Sequence, residues 1–440
     1  MQPREPTWTG NTDPAEAPES GAASLGSAGP DAARARLANE LQHHGHALSR
    51  SVQEAFARVP RHVFVPEMGQ AAAYRDEAFV IKCGPDGLPV SSSSQPAMMA
   101  IMLDQLDLRP GHRVLEIGTG SGYNAAVMSA VVGDGGEVVT VDIDPELVAR
   151  ARASLLATGY DEVNVQCADG GFGDPDGAPF DRVIVTAGAW DIAPAWLDQL
   201  VPGGRLVLPL SVRGIQLSIG LERVGPAWLS TSAWRCGFVR MLGAFAGPEA
   251  VVHIEEPPAL AFQMSDGSPV EADSLRTALA GEASDAMVRV PLAGVAELAD
   301  LDLWLTLAAG RLDRLTVLAA PGGWLRLTPL PPFGALIGGA TDAEQLGIVL
   351  LLPTDASGDV VGAGSGDTWM GALLRGFGPG GPELTTRLAA LAVRWADLGR
   401  PGSRALEVTV WPPGHAPIRP PSHRLVLERP SVTVAVGWPG

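Results

Sequence analysis

Three glycines and an acid in the first half of this 440-residue chain are the residues best placed to do chemistry. The apolar run VLEI is followed by Gly118, Gly120 and Gly122, and the next apolar run ends on Asp142. Glycines at a strand-to-helix turn let the backbone approach a ligand closely. A carboxylate at the tip of the following strand can accept hydrogen bonds from the hydroxyls of a ribose. The pattern therefore predicts a nucleoside site.

The spacing of the glycines distinguishes between kinds of nucleoside ligand. A dinucleotide site carries G-x-G-x-x-G, whose third glycine lets helix and strand pack around a pyrophosphate. Here the third glycine comes one residue earlier, in the G-x-G-x-G form of enzymes that bind S-adenosyl-L-methionine, which has a sulfonium and no phosphate. A glycine loop alone can also be only a tight turn between strand and helix, so its surroundings must decide.

The elements around the loop alternate between strand and helix from residue 112 to about 210. Apolar runs predict strands at 113–117, 137–142, 163–166, 181–186 and 205–209. Helical spacing predicts helices at 122–132, 145–158 and 191–200. This alternation is typical of an α/β fold with a parallel, doubly wound sheet and a ligand at the carboxyl ends of its strands. Further apolar runs at 215–221 and 236–245 are interpreted as antiparallel edge strands.

The chain divides by composition into three parts. Residues 1–30 are rich in Pro, Gly and Ser, which predicts a disordered leader. The catalytic domain is expected at 31–247. After a junction rich in prolines and acids, 248–440 is interpreted as a C-terminal α+β domain with no catalytic constellation. Its predicted elements are helices at 271–281 and 382–398 and strand-like pieces at ALEVTVW and HRLVLE.

Composition excludes several classes of function. The net charge of −18, from 31 basic and 49 acidic residues, argues against a nucleic-acid partner. No apolar run approaches the ~20 residues of a membrane helix, and no signal-peptide pattern opens the chain, so a cytoplasmic location is predicted. The 3 cysteines suit neither a disulfide framework nor a zinc site, and no metal is predicted at His43, His44 and His46. Lys82 is the only lysine, which makes it a functional candidate or an incidental surface residue.

Motifs on both sides of the glycine loop resemble those of the protein-L-isoaspartate O-methyltransferase family. VPRHVFVPE, AYRDE and SSQP precede EIGTGSGY, and CADGG, PFDRVIVTA and VPGGRLVLP follow it, in the order found in the family. The VPR-x-x-FVPE and S-Q-P elements are the family-specific ones. The resemblance covers about 38–247 and implies a class I, Rossmann-like methyltransferase domain that uses S-adenosyl-L-methionine.

Site residues follow from the resemblance, position by position. Ser94 matches the serine that the family places in its active site. Gln95 and Lys82 are expected on the substrate side, where Lys82 or Arg75 could offset repulsion between an acidic enzyme and an acidic peptide. The residues expected to bind the cofactor lie on the loop, at the tip of the next strand and in the DG pair: Glu116, Gly118, Thr119, Gly120, Ser121, Gly122, Asp142, Ile143, Asp169 and Gly170.

Each of these assignments has a simpler alternative. Asp142 could be a solvated strand end, and Asp169 could be a turn former. Ser94 belongs to a run of four serines that could be a flexible loop ending in a helix cap.

The implied chemistry needs few catalytic groups. The acceptor is a carboxylate with a pKa near ~4, so it is ionised at neutral pH without a general base. The enzyme's main task is then to align carboxylate, methyl carbon and sulfur. The methyl ester activates its carbonyl, and attack by the next backbone nitrogen gives a succinimide that hydrolyses to aspartate and isoaspartate.

The residues leave more than one acceptor open. The family's usual G-D-G is Ala168-Asp169-Gly170 here, and repair members of the family are about half this length. Extended relatives resemble actinobacterial methyltransferases encoded beside ribosomally made, modified peptides, which implies an aspartate of a constrained precursor peptide as acceptor. General repair of isoaspartate, or a catalytically silent module that binds S-adenosyl-L-methionine or peptide, are the alternatives. The oligomeric state is not predicted.

Overall fold

The computed structural model describes residues 29–47, 49–85, 89–248, 250–253, 261–264, 271–309, 313–319, 335–339, 346–354, 357, 360, 371–413 and 424–439. Residues 1–28 of the predicted leader lie outside this range, so its disorder stays a prediction. Among the described helices, none combines the length and the apolar character needed to span a bilayer.

The first half of the described chain contains most of the predicted alternation. Its helices are α1 (Pro30–His43), α2 (Arg50–Arg58), α3 (Arg61–Phe64), α4 (Gly69–Ala73), α5 (Pro96–Leu106), α6 (Tyr123–Val132), α7 (Pro145–Thr158) and α8 (Pro194–Asp198). Its strands are β1 (Phe79–Cys83), β2 (Pro89–Ser93), β3 (Arg113–Ile117), β4 (Glu137–Asp142), β5 (Asn164–Cys167), β6 (Phe180–Val185), β7 (Leu200–Val212), β8 (Ile215–Val224) and β9 (Ala227–Cys236).

Within its described residues, the second half supplies further strands and helices. The helices are α9 (Ala272–Ala280), α10 (Val295–Ala308) and α11 (Gly381–Asp397). The strands are β10 (Ala250–His253), β11 (Ala261–Met264), β12 (Ser284–Val288), β13 (Asp313–Ala319), β14 (Ala335–Gly339), β15 (Leu346–Thr354), β16 (Gly371–Phe377), β17 (Glu407–Trp411), β18 (Arg424–Glu428) and β19 (Thr433–Gly437).

Within the described residues, ten strands form one sheet in the order β18-β19-β17-β9-β8-β7-β6-β3-β4-β5. Neighbouring strands from β7 through β6, β3 and β4 to β5 are parallel, and the remaining pairs are antiparallel. The chain runs outward from β3 to β5 and then returns to place β6 on the other side of β3. A doubly wound sheet opens its ligand crevice at such a reversal. The predicted Rossmann-like α/β fold is confirmed.

Strands β3 and β6 are buried on both faces of the sheet, and their successive side chains point to opposite faces. In β3, Val114 points to one face of the sheet and packs in a core with residues of α5 and α6. Leu115 points to the other face and packs in a core with Trp196 of α8. In β6, Ile184 belongs to the core that contains Val114, and Val183 belongs to the core that contains Leu115. Burial on both faces explains why these strands are almost continuously apolar in sequence.

The second sheet has the strand order β10-β11-β13-β14-β15-β16-β12 within the described residues, and its pairs are antiparallel. Helix α11 packs against β12, β15 and β16 and against α10, which in turn reaches β18. Leu301 of α10 and Trp395 of α11 belong to the same hydrophobic core as Leu208 of β7. One core therefore continues from the first sheet to the second.

The end of the chain is built into the first sheet. Strand β17 pairs antiparallel with β9, placing Thr409 opposite Leu229, and β19 and β18 extend the sheet beyond it. Arg235 of β9 forms an ion pair with the buried Asp302 of α10, with an Nη2–Oδ2 distance of 2.6 Å. The boundary between 31–247 and 248–440 stays a prediction from composition, and the segment that contains β17 to β19 extends the sheet of the first part.

Three details of the predicted elements differ from the structure. The predicted strand at 236–245 is absent, because β9 ends at Cys236 and the side chain of Gln216 binds both the N–H and the C=O of Phe238, at 2.6 and 3.1 Å. The run at 215–221 lies in β8, between β7 and β9, and not at the edge of the sheet. The helix predicted at 191–200 is shortened to α8 because Pro194 begins it and β7 starts at Leu200.

Candidate functional site

The glycine loop lies at the reversal point of the sheet. Gly118 follows β3 with φ of +102°, and an added Cβ would stand 2.5 Å from Oγ1 of Thr186. Gly122 precedes α6 with φ of +84°, and an added Cβ would stand 3.1 Å from the Cβ of Ala151 in α7. Both the backbone conformation and the packing therefore favour glycine. The loop from Gly118 to Ser121 lines a cleft at the carboxyl ends of β3 and β4.

Asp142 stands at the tip of β4 and faces the same cleft. Its Oδ2 accepts a hydrogen bond from the N–H of Gly120 at 2.9 Å, and its Oδ1 accepts one from the N–H of Asp144 at 3.0 Å. Burial raises the pKa of this carboxyl above its usual range. Each oxygen retains a lone pair, since a carboxylate has about four acceptor positions. Asp142 thus stabilises the glycine loop and can still accept hydrogen bonds from two hydroxyl groups.

Glu116 is fully buried behind the loop. Its Oε1 accepts from Nδ2 of Asn124 at 2.7 Å, and its Oε2 accepts from Oγ1 of Thr140 at 2.6 Å. Thr140 also lies 2.8 Å from the hydroxyl of Thr119. Burial raises the pKa of Glu116 to about 7. Through these contacts Glu116 supports the glycine loop from behind. Its direct contact with a cofactor stays a prediction.

Asp169 and Gly170 follow β5 on the far side of Asp142. Asp169 accepts from the N–H of Gly171 at 2.9 Å and from the N–H of Ala244 at 2.7 Å, so its carboxylate ties this turn to the segment after β9. Gly170 lines the cleft, as does Ile143, whose side chain is 41% exposed. Ile143 offers an apolar surface on which a flat ring can lie.

Ser94 lines the opposite side of the cleft, directly after β2, and is half-buried. Its carbonyl accepts a hydrogen bond at 2.8 Å from the guanidinium of Arg61, which is fully buried. Arg61 also donates to the carbonyls of Arg75 and Glu77, at 3.1 and 3.2 Å. Burial lowers the pKa of Arg61 to about 10. Arg61 therefore fixes the backbone of Ser94, and the hydroxyl of Ser94 remains available to a ligand in the cleft.

The two residues predicted on the substrate side are held by other parts of the chain. Gln95 is 9% exposed, and its Nε2 donates to the carbonyl and the carboxylate of Asp76 at 3.1 and 3.0 Å. The Nζ of Lys82 lies 2.6 Å from the carboxylate of Asp144 and 2.6 Å from that of Glu146. Lys82 therefore joins β1 to the start of α7, and neither side chain lines the cleft. Their contact with substrate stays a prediction.

A third segment closes the cleft opposite the serines. Residues 238–242, which we call the far wall, run beside the loop after β6. The N–H of Gly188 donates to the carbonyl of Val239 at 2.8 Å, and the N–H of Met241 donates to the carbonyl of Gly188 at 3.0 Å. Together with the two hydrogen bonds between the side chain of Gln216 and the backbone of Phe238, these bonds hold the far wall in place.

Sequence reasoning missed the residues that position the site. Arg61 and Asp76 lie inside the motifs VPRHVFVPE and AYRDE, but the motifs alone do not say that Arg61 binds the carbonyl of Ser94 or that Asp76 accepts from the N–H of Ala97 at 2.7 Å. The available signal was an arginine in an otherwise apolar stretch. The far wall was assigned to a strand, so its place in the cleft was also missed.

Comparison with known proteins agrees with this arrangement. A family model of protein-L-isoaspartate(D-aspartate) O-methyltransferases matches residues 32–243. The protein-L-isoaspartate O-methyltransferase of Methanopyrus kandleri is 43% identical over 222 residues, which are 50% of this chain and 96% of that protein. Protein-L-isoaspartate O-methyltransferase 2 of Archaeoglobus fulgidus is 47% identical over 180 residues, which are 41% of this chain and 79% of that protein.

Among solved structures, a protein-L-isoaspartate O-methyltransferase aligns with 86% of this chain and 96% of its own length, at 22% identity and a TM-score of 0.45.

Proposed function

The chain belongs to the protein-L-isoaspartate O-methyltransferase family, and we propose that it methylates an aspartate or isoaspartate carboxylate in a dedicated, modified precursor peptide. S-adenosyl-L-methionine is the methyl donor. The observation that carries the proposal is that Ser94 lines the same cleft as the glycine loop and Asp142. A donor and a peptide carboxylate can therefore meet in one cleft.

The residues on the donor side suit S-adenosyl-L-methionine. Between Gly118 and Ser121 the backbone lines the cleft, which leaves space for the amino-acid part of the donor. Asp142 retains one acceptor position on each oxygen for the ribose hydroxyls, and Ile143 and Gly170 flank the place of the adenine. When bound, the donor supplies a methyl group on a sulfonium.

On the acceptor side, the chain has to orient a carboxylate and exclude water. The attacking carboxylate oxygen forms a bond to the methyl carbon, and the electrons of the carbon–sulfur bond stay on sulfur, so a cation and an anion become two neutral products. A partly desolvated site favours this loss of charge. Met99 and Met102, which are 5% and 1% exposed, line the cleft and supply apolar walls. The hydroxyl of Ser94 donates a hydrogen bond that holds the carboxylate in line.

The C-terminal extension supports a dedicated peptide as acceptor. The relatives at 43% and 47% identity align with 50% and 41% of this chain, so a large C-terminal part lies outside what they share. General repair of isoaspartate in damaged proteins is the second candidate, and the names of those relatives favour it.

The experiment incubates the full chain with S-adenosyl-L-methionine and two peptides, one containing isoaspartate and one a cyclised precursor with a normal aspartate. The mass gain of a methyl ester is expected on the precursor, or, once the backbone nitrogen has displaced methanol from the ester, a succinimide whose mass is lower than that of the unmodified peptide by one water. Modification of the isoaspartate peptide alone would favour repair, and modification of neither would favour a binding module. Ser94→Ala should lower turnover at least ~tenfold with unchanged donor affinity, because it removes one orienting hydrogen bond and no donor contact.

A further inference from the structure

The cleft is acidic and has to accept an acidic substrate. Asp142 lines it, as does Asp144, which is paired with Lys82, and the whole chain carries a net charge of −18. A peptide with a carboxylate is repelled by such a field unless a cation lies nearby. Among the described residues that line the cleft, Arg240 of the far wall is the only basic one.

The position of Arg240 is set by its backbone. The residues on either side of it, Val239 and Met241, both pair with Gly188, which fixes where the side chain leaves the far wall. The side chain is exposed at the cleft, so it lies at the rim and not at the depth of Ser94.

Within the described part of the chain, Arg240 makes neither an ion pair nor a side-chain hydrogen bond. The other cations near the cleft differ in this respect. Lys82 is held by two carboxylates, and Arg75 lies 4.0 Å from that of Glu77. Arg240 therefore offers the planar donor set of a guanidinium to a ligand, in a geometry that suits a carboxylate.

We propose that Arg240 is a specificity-determining residue that binds a second, unreactive carboxylate of the peptide, so that the enzyme prefers acceptors with a neighbouring acidic residue. The proposal rests on the proposed function of methyl transfer to a peptide. The reacting carboxylate loses its charge on methylation, so a cation bound to it would stabilise the ground state more than the transition state. A carboxylate that keeps its charge carries no such penalty, and a residue at the rim is placed to meet one.

The test measures methylation of a peptide series that shares one reactive aspartate or isoaspartate. Glutamate, glutamine or lysine is placed in turn at each neighbouring position. Wild-type chain is compared with Arg240→Gln, Arg240→Lys and Arg240→Glu. The matched control is Arg50→Gln, which removes the same charge from an arginine that is 89% exposed on α2 and paired with Glu54.

For the best glutamate peptide, Arg240→Gln should lower kcat/KM about tenfold, mainly through KM, which corresponds to ~1.4 kcal/mol. Its kcat/KM for the glutamine peptide should stay within about twofold, since an exposed side chain carries little structural weight. Arg240→Lys should retain most of the preference, and Arg240→Glu should transfer it to the lysine peptide.

Equal losses for glutamate and glutamine peptides, or the same effect from Arg50→Gln, would overturn the role of Arg240 and leave the methyl transfer intact. If wild-type chain binds S-adenosyl-L-methionine but modifies no peptide of the series, the proposed function and this inference fall together.

Discussion

Replacing Glu116 with glutamine should stabilise the protein above neutral pH. The carboxylate is fully buried, and its oxygens accept hydrogen bonds from Asn124 and Thr140. Glutamine has nearly the same shape and can still accept from Thr140. Its amide N–H can donate to Oδ1 of Asn124, which has no hydrogen-bond partner among the described residues, once the Asn124 amide turns over. The substitution therefore removes a buried charge and exchanges the unpaired Oδ1 of Asn124 for its unpaired Nδ2.

The magnitude follows from the pKa of Glu116, which burial raises from 4.5 to about 7. The folded chain keeps a proton that the unfolded chain releases, so this group contributes most stability below pH 4.5 and loses it as the pH rises through 7. One pKa unit is ~1.4 kcal/mol, so the whole window amounts to about 3 kcal/mol. About 1.4 kcal/mol of this is lost between pH 6 and pH 8.5. Glutamine does not titrate, so its advantage over wild type should grow by that amount.

Urea unfolding followed by tryptophan fluorescence at about pH 6 and 8.5 measures the difference, and both values stay above the isoelectric point near 4.8. Trp196 reports on the site because its indole N–H binds the carbonyl of Gly170 at 2.9 Å. Glu54→Gln, at an exposed position of α2, controls for the loss of one charge. If the gain in unfolding free energy from Glu116→Gln is the same at both pH values, the assignment of a titration near pH 7 to Glu116 is refuted.

Three further predictions concern the donor site and the extension. Gly118→Ala should weaken S-adenosyl-L-methionine binding at least ~tenfold by calorimetry, because the new Cβ meets Thr186 and strains a φ of +102°. Asp142→Asn should weaken it by about tenfold, because a neutral amide accepts more weakly than a carboxylate and turns an N–H toward that of Gly120 or the ribose. A chain ending at Gly247 should be recovered mainly as aggregate in size-exclusion chromatography, because it exposes the edge of β9 that β17 covers; a soluble monomer would contradict this.

Much of the fold was predictable because its signals are local. Strands β3, β4 and β6 are rich in apolar residues, and the glycine loop marks the start of the helix after β3. Sheet order beyond β7 was not predictable in this way. Strand β19 has the apolar sequence TVAVG, but nothing within it indicates that β17 and β18 are its neighbours or that β17 pairs with β9.

Part of the candidate site was also predictable from local sequence, and part was not. Asp142 and Ser94 were predicted from motifs, and the structure places both in one cleft. Lys82 was predicted to meet substrate because it is the only lysine, but its partners, Asp144 and Glu146, come from a distant segment. Arg61 shows the opposite case, since a buried cation that binds backbone carbonyls leaves little trace in local sequence. The roles of Lys82 and Arg61 are therefore set by contacts with segments that are distant in the sequence.

The end of the chain also contacts a loop beside the cleft. The donor side of the cleft is built mainly from the glycine loop and the tip of β4, whereas the acceptor side carries Ser94 and faces the far wall, which pairs with Gly188. The loop that contains Gly188 is also held by the end of the chain: the guanidinium of Arg429 lies 3.9 Å from the ring centre of Trp190, and the N–H of Ser431 donates to Asp191 at 2.9 Å. The end of the chain therefore packs against the loop that pairs with the far wall.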